Sequence, residues 1–140
     1  MISVITPTKN ILSEGREVFF RKMIESLSEQ TCQDFEHIVM DGGSTDGSIA
    51  ILEDYVHQGK ITTLVSKPDN NLHEALNRGL KIAKGEYIHV MNSDNYFARH
   101  DFFEMSLLAL EKYGVDYTHG DRDIIRRDGG PTTIKRGDER

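Results

Sequence analysis

The chain has 140 residues, enough for one domain with a hydrophobic core of its own. Its formal net charge is −6, without the basic face typical of nucleic-acid binders, so nucleic acid is not an expected partner. The single Cys32 excludes an internal disulfide and a multi-cysteine zinc site. No apolar run approaches the roughly 18 residues of a transmembrane span.

The first half of the chain predicts strands alternating with helices. Residues 2–5 form a short strand that we expect to end at Pro7, because proline cannot donate a ladder hydrogen bond. Apolar residues at helical spacing predict a helix over about residues 17–30. A second strand over residues 35–40 and a second helix over residues 48–59 follow.

The next segment carries the clearest helical periodicity of the sequence. A third strand over residues 61–65 is ended by Pro68. Apolar positions then recur at i, i+3, i+4 and i+7 over residues 72–83, and Gly85 is the predicted C-terminal cap. Residues 87–91 form an apolar run that predicts a buried strand.

The remainder predicts a helix that ends at Gly114, a strand at residues 115–118, a turn at residues 128–131 and a frayed charged tail at residues 135–140. The alternation of strands and helices indicates βαβ units and a mostly parallel sheet. The predicted fold class is therefore a three-layer α/β/α domain.

Polar residues follow three of the predicted strands. They are Thr6, Pro7 and Thr8, then Asp41, Gly42 and Gly43, then Asn92, Ser93 and Asp94. Right-handed crossovers bring the carboxyl ends of parallel strands to one edge, where ligands bind. Carboxylate and amide oxygens there suit Mg²⁺ or Mn²⁺ shared with a substrate phosphate.

Two simpler interpretations stay open, and three common sites are absent. Asp41 and Asp94 could be ordinary strand-end caps, and residues 44–46 could cap the following helix. The loop after the first strand lacks the Gly-x-Gly-x-x-Gly of dinucleotide sites. A Walker phosphate loop and a Gly-x-Ser-x-Gly nucleophile elbow are also missing.

The order of these pieces resembles glycosyltransferase family 2, whose members have the GT-A fold of nucleotide-diphospho-sugar transferases. The resemblance covers nearly the whole chain and is carried by residues 2–10, 26–31, 35–36, 41–48, 75–79, 83–88 and 92–94. The donor-binding set that it implies is Thr6, Pro7, Asp41, Gly42, Gly43, Asn77, Asn92, Ser93 and Asp94.

The resemblance also implies roles and ligands. Thr6 and Pro7 border the base and ribose, Asp41 lies in the base-binding loop, Asn77 faces the donor, and Asp94 is the ligand of a Mn²⁺ or Mg²⁺ ion. The implied donor is a UDP-, GDP- or dTDP-sugar, and the implied acceptor is a saccharide or a lipid-linked molecule. Cell-surface polysaccharide biosynthesis is the implied setting.

The sequence also departs from the family pattern. Gly42 stands where many relatives have a base-reading Asp, and Asn92 stands where the metal motif begins with Asp. The catalytic base of the family lies further downstream, so no catalytic residue is assigned. We therefore interpret residues 1–140 as a single family 2 domain truncated to its N-terminal donor-binding portion, without the acceptor half. The alternative is a non-catalytic nucleotide-binding module or pseudo-enzyme.

The location follows from the start of the chain. Residues 1–6 run straight into a strand pattern without a basic-then-apolar leader, so no signal peptide is expected. The expected location is the cytoplasm, with peripheral association at the inner face of the membrane as a variant. The sequence does not predict an oligomeric state.

Overall fold

The structure is a computed structural model that describes residues 1–120, 122–124 and 133–135. It divides into two compact units, Met1–Asp101 and Phe102–Arg140. Within the described residues, no helix is both long enough and apolar enough to cross a membrane.

The first unit alternates strands and helices. Its elements in chain order are β1 (Ile2–Thr8), α1 (Glu17–Ser28), β2 (Phe35–Asp41), α2 (Ser48–His57), β3 (Thr63–Ser66), α3 (Leu72–Ile82) and β4 (Tyr87–Val90). The strands form one sheet in the order β3-β2-β1-β4, and every pairing is parallel. The α/β class and the parallel sheet are confirmed. From β1 the chain adds β2 and then β3 on one side, and β4 is added on the other side of β1, so the strand order reverses between β1 and β4.

The helices lie in two layers. Helices α1 and α2 touch through Phe20 and Tyr55, whose ring centroids are 5.8 Å apart. Helix α3 packs on the sheet at Gly79, where an added Cβ would lie 2.7 Å from Cγ2 of Ile5 and 3.3 Å from Cγ of Met40. Right-handed crossovers require α3 to lie on the face opposite α1 and α2, since its connection runs back from β3 to β4. The result is three layers with the sheet in the middle.

Pro7 lies inside β1, so the expectation that the strand ends at this residue is wrong. Strand β4 ends at Val90, which pairs with Ile5, and the carbonyl of Ile5 accepts from the amide of Met91. Backbone groups of Pro7 point to the same side as those of Ile5, beyond the end of β4. The missing N–H of proline therefore leaves no ladder partner unpaired.

Gly85 is not the cap of α3, which corrects a second expectation. The cap residue is Ala83, in an extended conformation. A Cβ on Gly85 would lie 2.5 Å from the amide nitrogen of Ser3, so the glycine is required by close approach to β1. A glycine shortly after a helix has the sequence signature of a cap, and only the sheet packing reveals its other use.

The amino-terminal edge of the sheet is closed by a buried polar network. The hydroxyl of Ser3 donates to Oε1 of Glu36 over 2.5 Å and accepts from the amide of Gly85 over 2.7 Å. The amide of Lys84 donates to the same Glu36 oxygen over 2.6 Å. Burial acts to raise the pKa of Glu36, but these hydrogen bonds outweigh it and hold that pKa below its ordinary value.

The second unit contains α4 (Phe102–Tyr113) and an antiparallel pair, β5 (Arg122–Ile124) and β6 (Thr133–Lys135). The predicted helix is confirmed. The strand predicted at residues 115–118 is wrong, because this segment has no strand pairing. The turn predicted at residues 128–131 lies outside the described residues, and so does the tail beyond Lys135.

Candidate functional site

The carboxyl ends of the four parallel strands meet at one edge of the first unit. Thr8 pairs with Asp41, and Asp41 pairs with Ser66. Adjacent strands lie about 4.8 Å apart, so this edge runs about 14 Å from β3 to β4. The chain reversal between β1 and β4 makes their ends the switch point at which open α/β sheets bind ligands.

The loops after β1 and β2 are clamped to each other by side chains of both loops. The amide of Asn10 donates to Oγ of Ser44 over 2.8 Å, and the amide of Thr45 donates to Oδ1 of Asn10 over 2.9 Å. Asp46 accepts from the amide of Ser13 over 2.8 Å. The two loops therefore form one support at the edge of the sheet.

These bonds revise the simple interpretation of residues 44–46 as helix caps. The N-cap of α2 is Gly47, at φ +91°, which has no side chain with which to cap the helix. Asp46 instead accepts from Ser13 and from the amide and hydroxyl of Ser48. Desolvation acts to raise the pKa of Asp46, but the bonds from Ser13 and Ser48 lower it well below its ordinary value.

Asp41 is buried with 2 % of its surface exposed. Its Oδ2 accepts from the amides of Gly43 and Ser44 and from the hydroxyl of Ser66, over 2.8–3.0 Å. Its Oδ1 accepts from the hydroxyl of Ser44 over 2.5 Å. The carboxylate thus organises the loop after β2, and its predicted place in a base-binding loop stays a prediction.

The side chain of Thr6 points into the sheet packing. Its hydroxyl lies 2.9 Å from Nε2 of His37, while Nδ1 of His37 lies 3.3 Å from the carbonyl of Lys60. Since that carbonyl only accepts, Nδ1 carries the proton and Thr6 donates to Nε2. Burial lowers the pKa of His37 to about 4, so the ring is neutral. The predicted contact of Thr6 with a donor stays a prediction.

The sequence places Thr8 at this edge, but the predicted donor-binding set leaves it out. It is the last residue of β1 and is 7 % exposed. Its hydroxyl has no hydrogen-bond partner among the residues that the structure describes. A buried unpaired hydroxyl costs about 1–3 kcal/mol, and such a group at a ligand-binding edge indicates a missing partner.

The two glycines after Asp41 accommodate the loop that follows β3. A Cβ on Gly43, which has φ +85°, would lie 3.2 Å from Cγ of Pro68. A Cβ on Gly42 would lie 2.7 Å from Oδ2 of Asp69. Close approach of residues 68–69 therefore requires small residues at both positions.

The turn after β4 presents the predicted metal motif. Ser93 is buried with 3 % exposure, whereas Asn92 and Asp94 are exposed. The amide of Asn95 donates to the carbonyl of Asn92 over 3.1 Å and closes the turn. This turn and the end of β1 lie side by side, so the strand-end residues of the predicted set gather at one edge.

Metal ligation at this turn would rest on few protein groups. Among the described residues, no three His, Cys, Asp or Glu side chains lie close enough together to hold an ion. Asp94 and Asn92 offer oxygen atoms, as Mg²⁺ and Mn²⁺ prefer. Burial lowers the pKa of the half-buried His89 to about 4, and its ring lies 5.3 Å from that of Phe97. The donor set thus fits a cation that takes its other ligands from water and from a bound phosphate group.

Three residues near the end of α1 fix the chain beyond this turn. Oγ of Ser26 accepts from the amide of Phe97 over 3.1 Å. Nε2 of Gln30 donates to the carbonyl of Arg99 over 2.7 Å. The amide of Thr31 donates to the carbonyl of His100, also over 2.7 Å. Residues 26–31, which carry part of the family resemblance, therefore have a structural role: they hold residues 97–100 in place after the turn.

Asn77 is not gathered with the strand-end residues. It is exposed on α3, two positions from both Ala75 and Gly79, which are buried against the sheet. Residues two apart point to different sides of a helix, so Asn77 lies on the outer face of α3. Its predicted contact with the donor stays a prediction.

An open surface cavity of about 520 Å³ lies elsewhere in the unit, between α1 and α2. Its lining combines acidic and basic side chains, among them Glu17, Arg21, Asp54 and Lys60. None of the predicted site residues lines it. The chemistry of the strand ends, rather than the size of this cavity, defines the candidate site.

Comparisons with known proteins find glycosyltransferases. The chain is 33 % identical over 96 residues to an uncharacterized glycosyltransferase, EpsJ, of Bacillus subtilis, covering 69 % of this chain and 26 % of that protein. It is 30 % identical over 129 residues to a PGL/p-HBAD biosynthesis glycosyltransferase of Mycobacterium tuberculosis, covering 91 % of this chain and 48 % of that protein. The chain thus spans between a quarter and a half of the length of these relatives.

Solved structures give the same result. S. aureus TarS 1-349 in complex with UDP-GlcNAc superposes with a TM-score of 0.68 at 26 % identity, covering 82 % of this chain and 32 % of that chain. Mannosyltransferase PcManGT from Pyrobaculum calidifontis, in complex with GDP-Man and Mn²⁺, superposes with a TM-score of 0.65 at 24 % identity, covering 90 % and 35 %. The second likeness concerns the fold alone, and both neighbours are GT-A glycosyltransferases.

The family follows from a match over almost the entire sequence. The family model described as Glycosyl transferase family 2 matches residues 3–138, which include every residue of the candidate site and, apart from Ile2, all four strands of the parallel sheet. The chain belongs to glycosyl transferase family 2.

Proposed function

We propose that the chain is the donor-binding part of an enzyme that transfers a sugar from a nucleotide diphosphate sugar to an acceptor. Family membership supports the reaction class, and the edge formed by four parallel strand ends supports the location of the donor. The proposed donor-binding residues are Thr6, Pro7, Asp41, Gly42, Gly43, Asn77, Asn92, Ser93 and Asp94, to which the structure adds Thr8.

One observation carries the proposal. The hydroxyl of Thr8 is buried at the middle of this edge, and no described residue supplies it with a partner. The polar groups around Asp41, one strand away, are satisfied within the chain. A ligand bound across the ends of β1 and β2 would supply the missing bond.

The ends of the edge differ in the ligand chemistry that they suit. At the β4 end, the exposed Asp94 and Asn92 would hold a Mn²⁺ or Mg²⁺ ion, which neutralises a diphosphate and acts as a Lewis acid on the leaving group. A protein with net charge −6 binds a diphosphate through such a cation or through backbone N–H groups. The base would then lie toward β2 and β3. The UDP-GlcNAc held by TarS supports a nucleotide-sugar donor.

The described residues bind and orient the donor and exclude water from one side of it. The rigid loop pair after β1 and β2 holds the donor edge in place, because its clamp bonds are present without a ligand. We assign no catalytic base. The acceptor, a saccharide or lipid-linked molecule, and the role in cell-surface polysaccharide assembly extend this proposal to the whole protein.

A second function, a nucleotide-binding module without catalysis, is favoured by one observation. The described residues hold no cluster of acids at the proposed metal position, where Asp94 stands beside Asn92. Both functions predict that the chain binds a nucleoside diphosphate. Sugar transfer by the whole protein from a radiolabelled nucleotide sugar to a saccharide acceptor separates them, because a protein that only binds the nucleotide would release none.

The test of donor binding is calorimetric titration of UDP and GDP, each with and without Mn²⁺. We expect binding of at least one nucleotide that Mn²⁺ strengthens by tenfold or more, since the ion removes charge repulsion at about 1.4 kcal/mol per factor of ten. Asp94→Ala should lose the increase in nucleotide affinity that Mn²⁺ causes. Glu86→Gln removes the same charge from an exposed carboxylate that directly precedes β4, at the opposite end of that strand. It should leave the nucleotide affinities, with and without Mn²⁺, unchanged.

Equal affinities of wild type and Asp94→Ala for the nucleotide with Mn²⁺ would contradict the assignment of Asp94. Absence of binding by the wild-type chain, with either nucleotide and with Mn²⁺ present, would contradict the donor site itself.

A further inference from the structure

The turn after β4 is held on both of its sides, by two different parts of the fold. On the side of β4, the amide of Met91 donates to the carbonyl of Ile5 over 3.0 Å. On the other side, the amide of Phe97 donates to Oγ of Ser26 over 3.1 Å. Asp94 therefore lies in a short stretch of chain between an anchor on β1 and an anchor on α1.

The segment that follows the turn runs along α1. Nζ of Lys22, earlier on the helix than Ser26, lies 5.6 Å from the ring centroid of Tyr96. Nε2 of Gln30, just beyond the end of the helix, donates to the carbonyl of Arg99 over 2.7 Å. The contacts therefore follow the same order along the helix and along the segment. The bond to Ser26 is the hydrogen bond of this series that lies closest to the turn in the chain.

The hydroxyl of Ser26 is not required by α1 itself. Ser26 is buried, with 7 % of its surface exposed. Its hydroxyl donates to the carbonyl of Met23 over 2.8 Å and accepts from the amide of Phe97, which is 71 residues away in the chain. Alanine forms helices better than serine and leaves no polar group to satisfy in a buried position. The bond to Phe97 therefore gives the hydroxyl its use.

Asp94 lacks support of this kind for its own side chain. The side chain is exposed, and within the described ranges it has neither a hydrogen bond nor an ion pair. The place of its carboxylate is therefore set by the backbone of the turn. A group that is already in place loses less conformational freedom when it binds, so the anchors of the turn favour binding of a cation there.

We propose that Ser26 is a positioning residue for the cation site. By holding the amide of Phe97, it keeps the Asp94 carboxylate where an ion can be shared with the diphosphate of the donor. Gln30 acts in the same way through the carbonyl of Arg99, from further along the segment. The inference rests on the proposed function, because it presumes that Asp94 holds a Mn²⁺ or Mg²⁺ ion.

Two neighbouring side chains provide matched controls. Ser28 lies in the same last turn of α1, and its hydroxyl donates to the carbonyl of Ile24 over 3.0 Å. Nε2 of Gln33 donates to the carbonyl of Gln30 over 2.6 Å and makes two longer bonds to carbonyls of the same helix end. In the part of the chain that the structure describes, neither side chain bonds to the segment after the turn. Ser28→Ala and Gln33→Met thus remove the same kinds of group without releasing the turn.

The test measures affinities for UDP and GDP by calorimetry, each with and without Mn²⁺. The quantity compared is the factor by which Mn²⁺ strengthens nucleotide binding. We expect this factor to be about fivefold smaller in Ser26→Ala than in wild type, the effect of one neutral hydrogen bond. Gln30→Met should reduce the factor in the same direction. Affinities without Mn²⁺ should stay unchanged in both variants, because both side chains lie at the C-terminal end of α1 rather than at the strand-end edge.

A second measurement needs neither metal nor nucleotide. Hydrogen exchange over residues 92–100 should be faster in Ser26→Ala than in wild type, because the turn has lost one of its anchors. It should be unchanged there in Ser28→Ala and Gln33→Met, which should also keep the wild-type factor for Mn²⁺. Thermal unfolding midpoints verify that each variant is folded. If Ser26→Ala does not fold, Gln30→Met decides by the same criteria.

Three results would overturn the inference while the proposed function stands, with Asp94→Ala losing the effect of Mn²⁺ as proposed. One is a Ser26→Ala variant whose factor for Mn²⁺ lies within about twofold of that of wild type. Another is equal weakening of nucleotide binding with and without Mn²⁺. The third is unchanged hydrogen exchange over residues 92–100. A wild-type chain whose nucleotide binding Mn²⁺ does not strengthen would overturn the inference together with the proposed role of Asp94.

Discussion

The two ends of one parallel sheet use buried polar groups in opposite ways. At the amino-terminal edge, Ser3 and Glu36 are buried, and each is bonded within the chain. At the carboxyl-terminal edge, the buried hydroxyl of Thr8 has no partner among the described residues. The same strand, β1, contributes to both edges. Burial alone therefore does not distinguish structural from ligand-binding polar groups, whereas satisfaction of their hydrogen bonds does.

The largest effect is expected at the amino-terminal edge. Glu36→Ala leaves the hydroxyl of Ser3 and the amide of Lys84 without their acceptor. Each bond to a charged group contributes about 1.5–3 kcal/mol, so we expect the free energy of unfolding to fall by about 3 kcal/mol. Urea denaturation measures this change. Glu86→Ala, at an exposed carboxylate preceding β4, should change it by less than about 0.5 kcal/mol.

A loss of less than about 1 kcal/mol in Glu36→Ala would show that this edge is not held by its polar network. Nucleotide affinity should be unchanged in the folded variant, because Glu36 lies at the other end of the sheet from the candidate site.

A smaller effect is expected from the buried His37, whose pKa falls from 6.5 to about 4 on folding. Below pH 6.5 the unfolded chain takes up a proton that the folded chain does not, so stability falls as the pH drops from 6.5 toward 4. The loss between pH 7.5 and pH 5 should be about 2 kcal/mol for this residue. His37→Gln should remove that part of the dependence, measured by denaturation at each pH.

His57→Gln provides the matched control, because His57 is exposed at the end of α2 and should leave the pH dependence unchanged. If His37→Gln has the same pH dependence as wild type, the imidazole of His37 is not held neutral by its burial.

Sequence patterns predicted the parallel sheet, its helices and its polar edge, because these depend on periodicity and on turn residues close together in the chain. The clean spacing of α3, with Gly79 on its inner face, is confirmed by packing against Ile5 and Met40. The family resemblance is confirmed over residues 3–138.

Contacts between distant loops were not visible in the sequence. Asp69 and Gly42 lie on different loops, and no local pattern indicates that a carboxylate of one fills the side-chain space of the other. Ser48 and Asp46 have the composition of helix caps, but their side chains bond to the loop after β1. Thr8 was placed at the edge but left out of the predicted donor-binding set, because its sequence position gives its side chain no role and only the missing partner distinguishes it.

The smallest predicted effect compares two threonines of β1. Thr6 and Thr8 are both buried, but only Thr6 has a partner, His37. Thr6→Val leaves the ring nitrogen of His37 unpaired and should destabilise the chain by about 1–2 kcal/mol. Thr8→Val removes an unpaired hydroxyl and should stabilise it by about 1 kcal/mol.

The measurement that tests the central claim most directly is the difference in unfolding free energy between Thr8→Val and wild type, without ligand and with saturating UDP or GDP plus Mn²⁺. We predict that the sign of this difference reverses: the variant is more stable without ligand and less stable with it, because only the wild type gains the bond to the nucleotide. A variant that is less stable than wild type in both conditions would contradict the claim, since the hydroxyl would then have its partner within the chain.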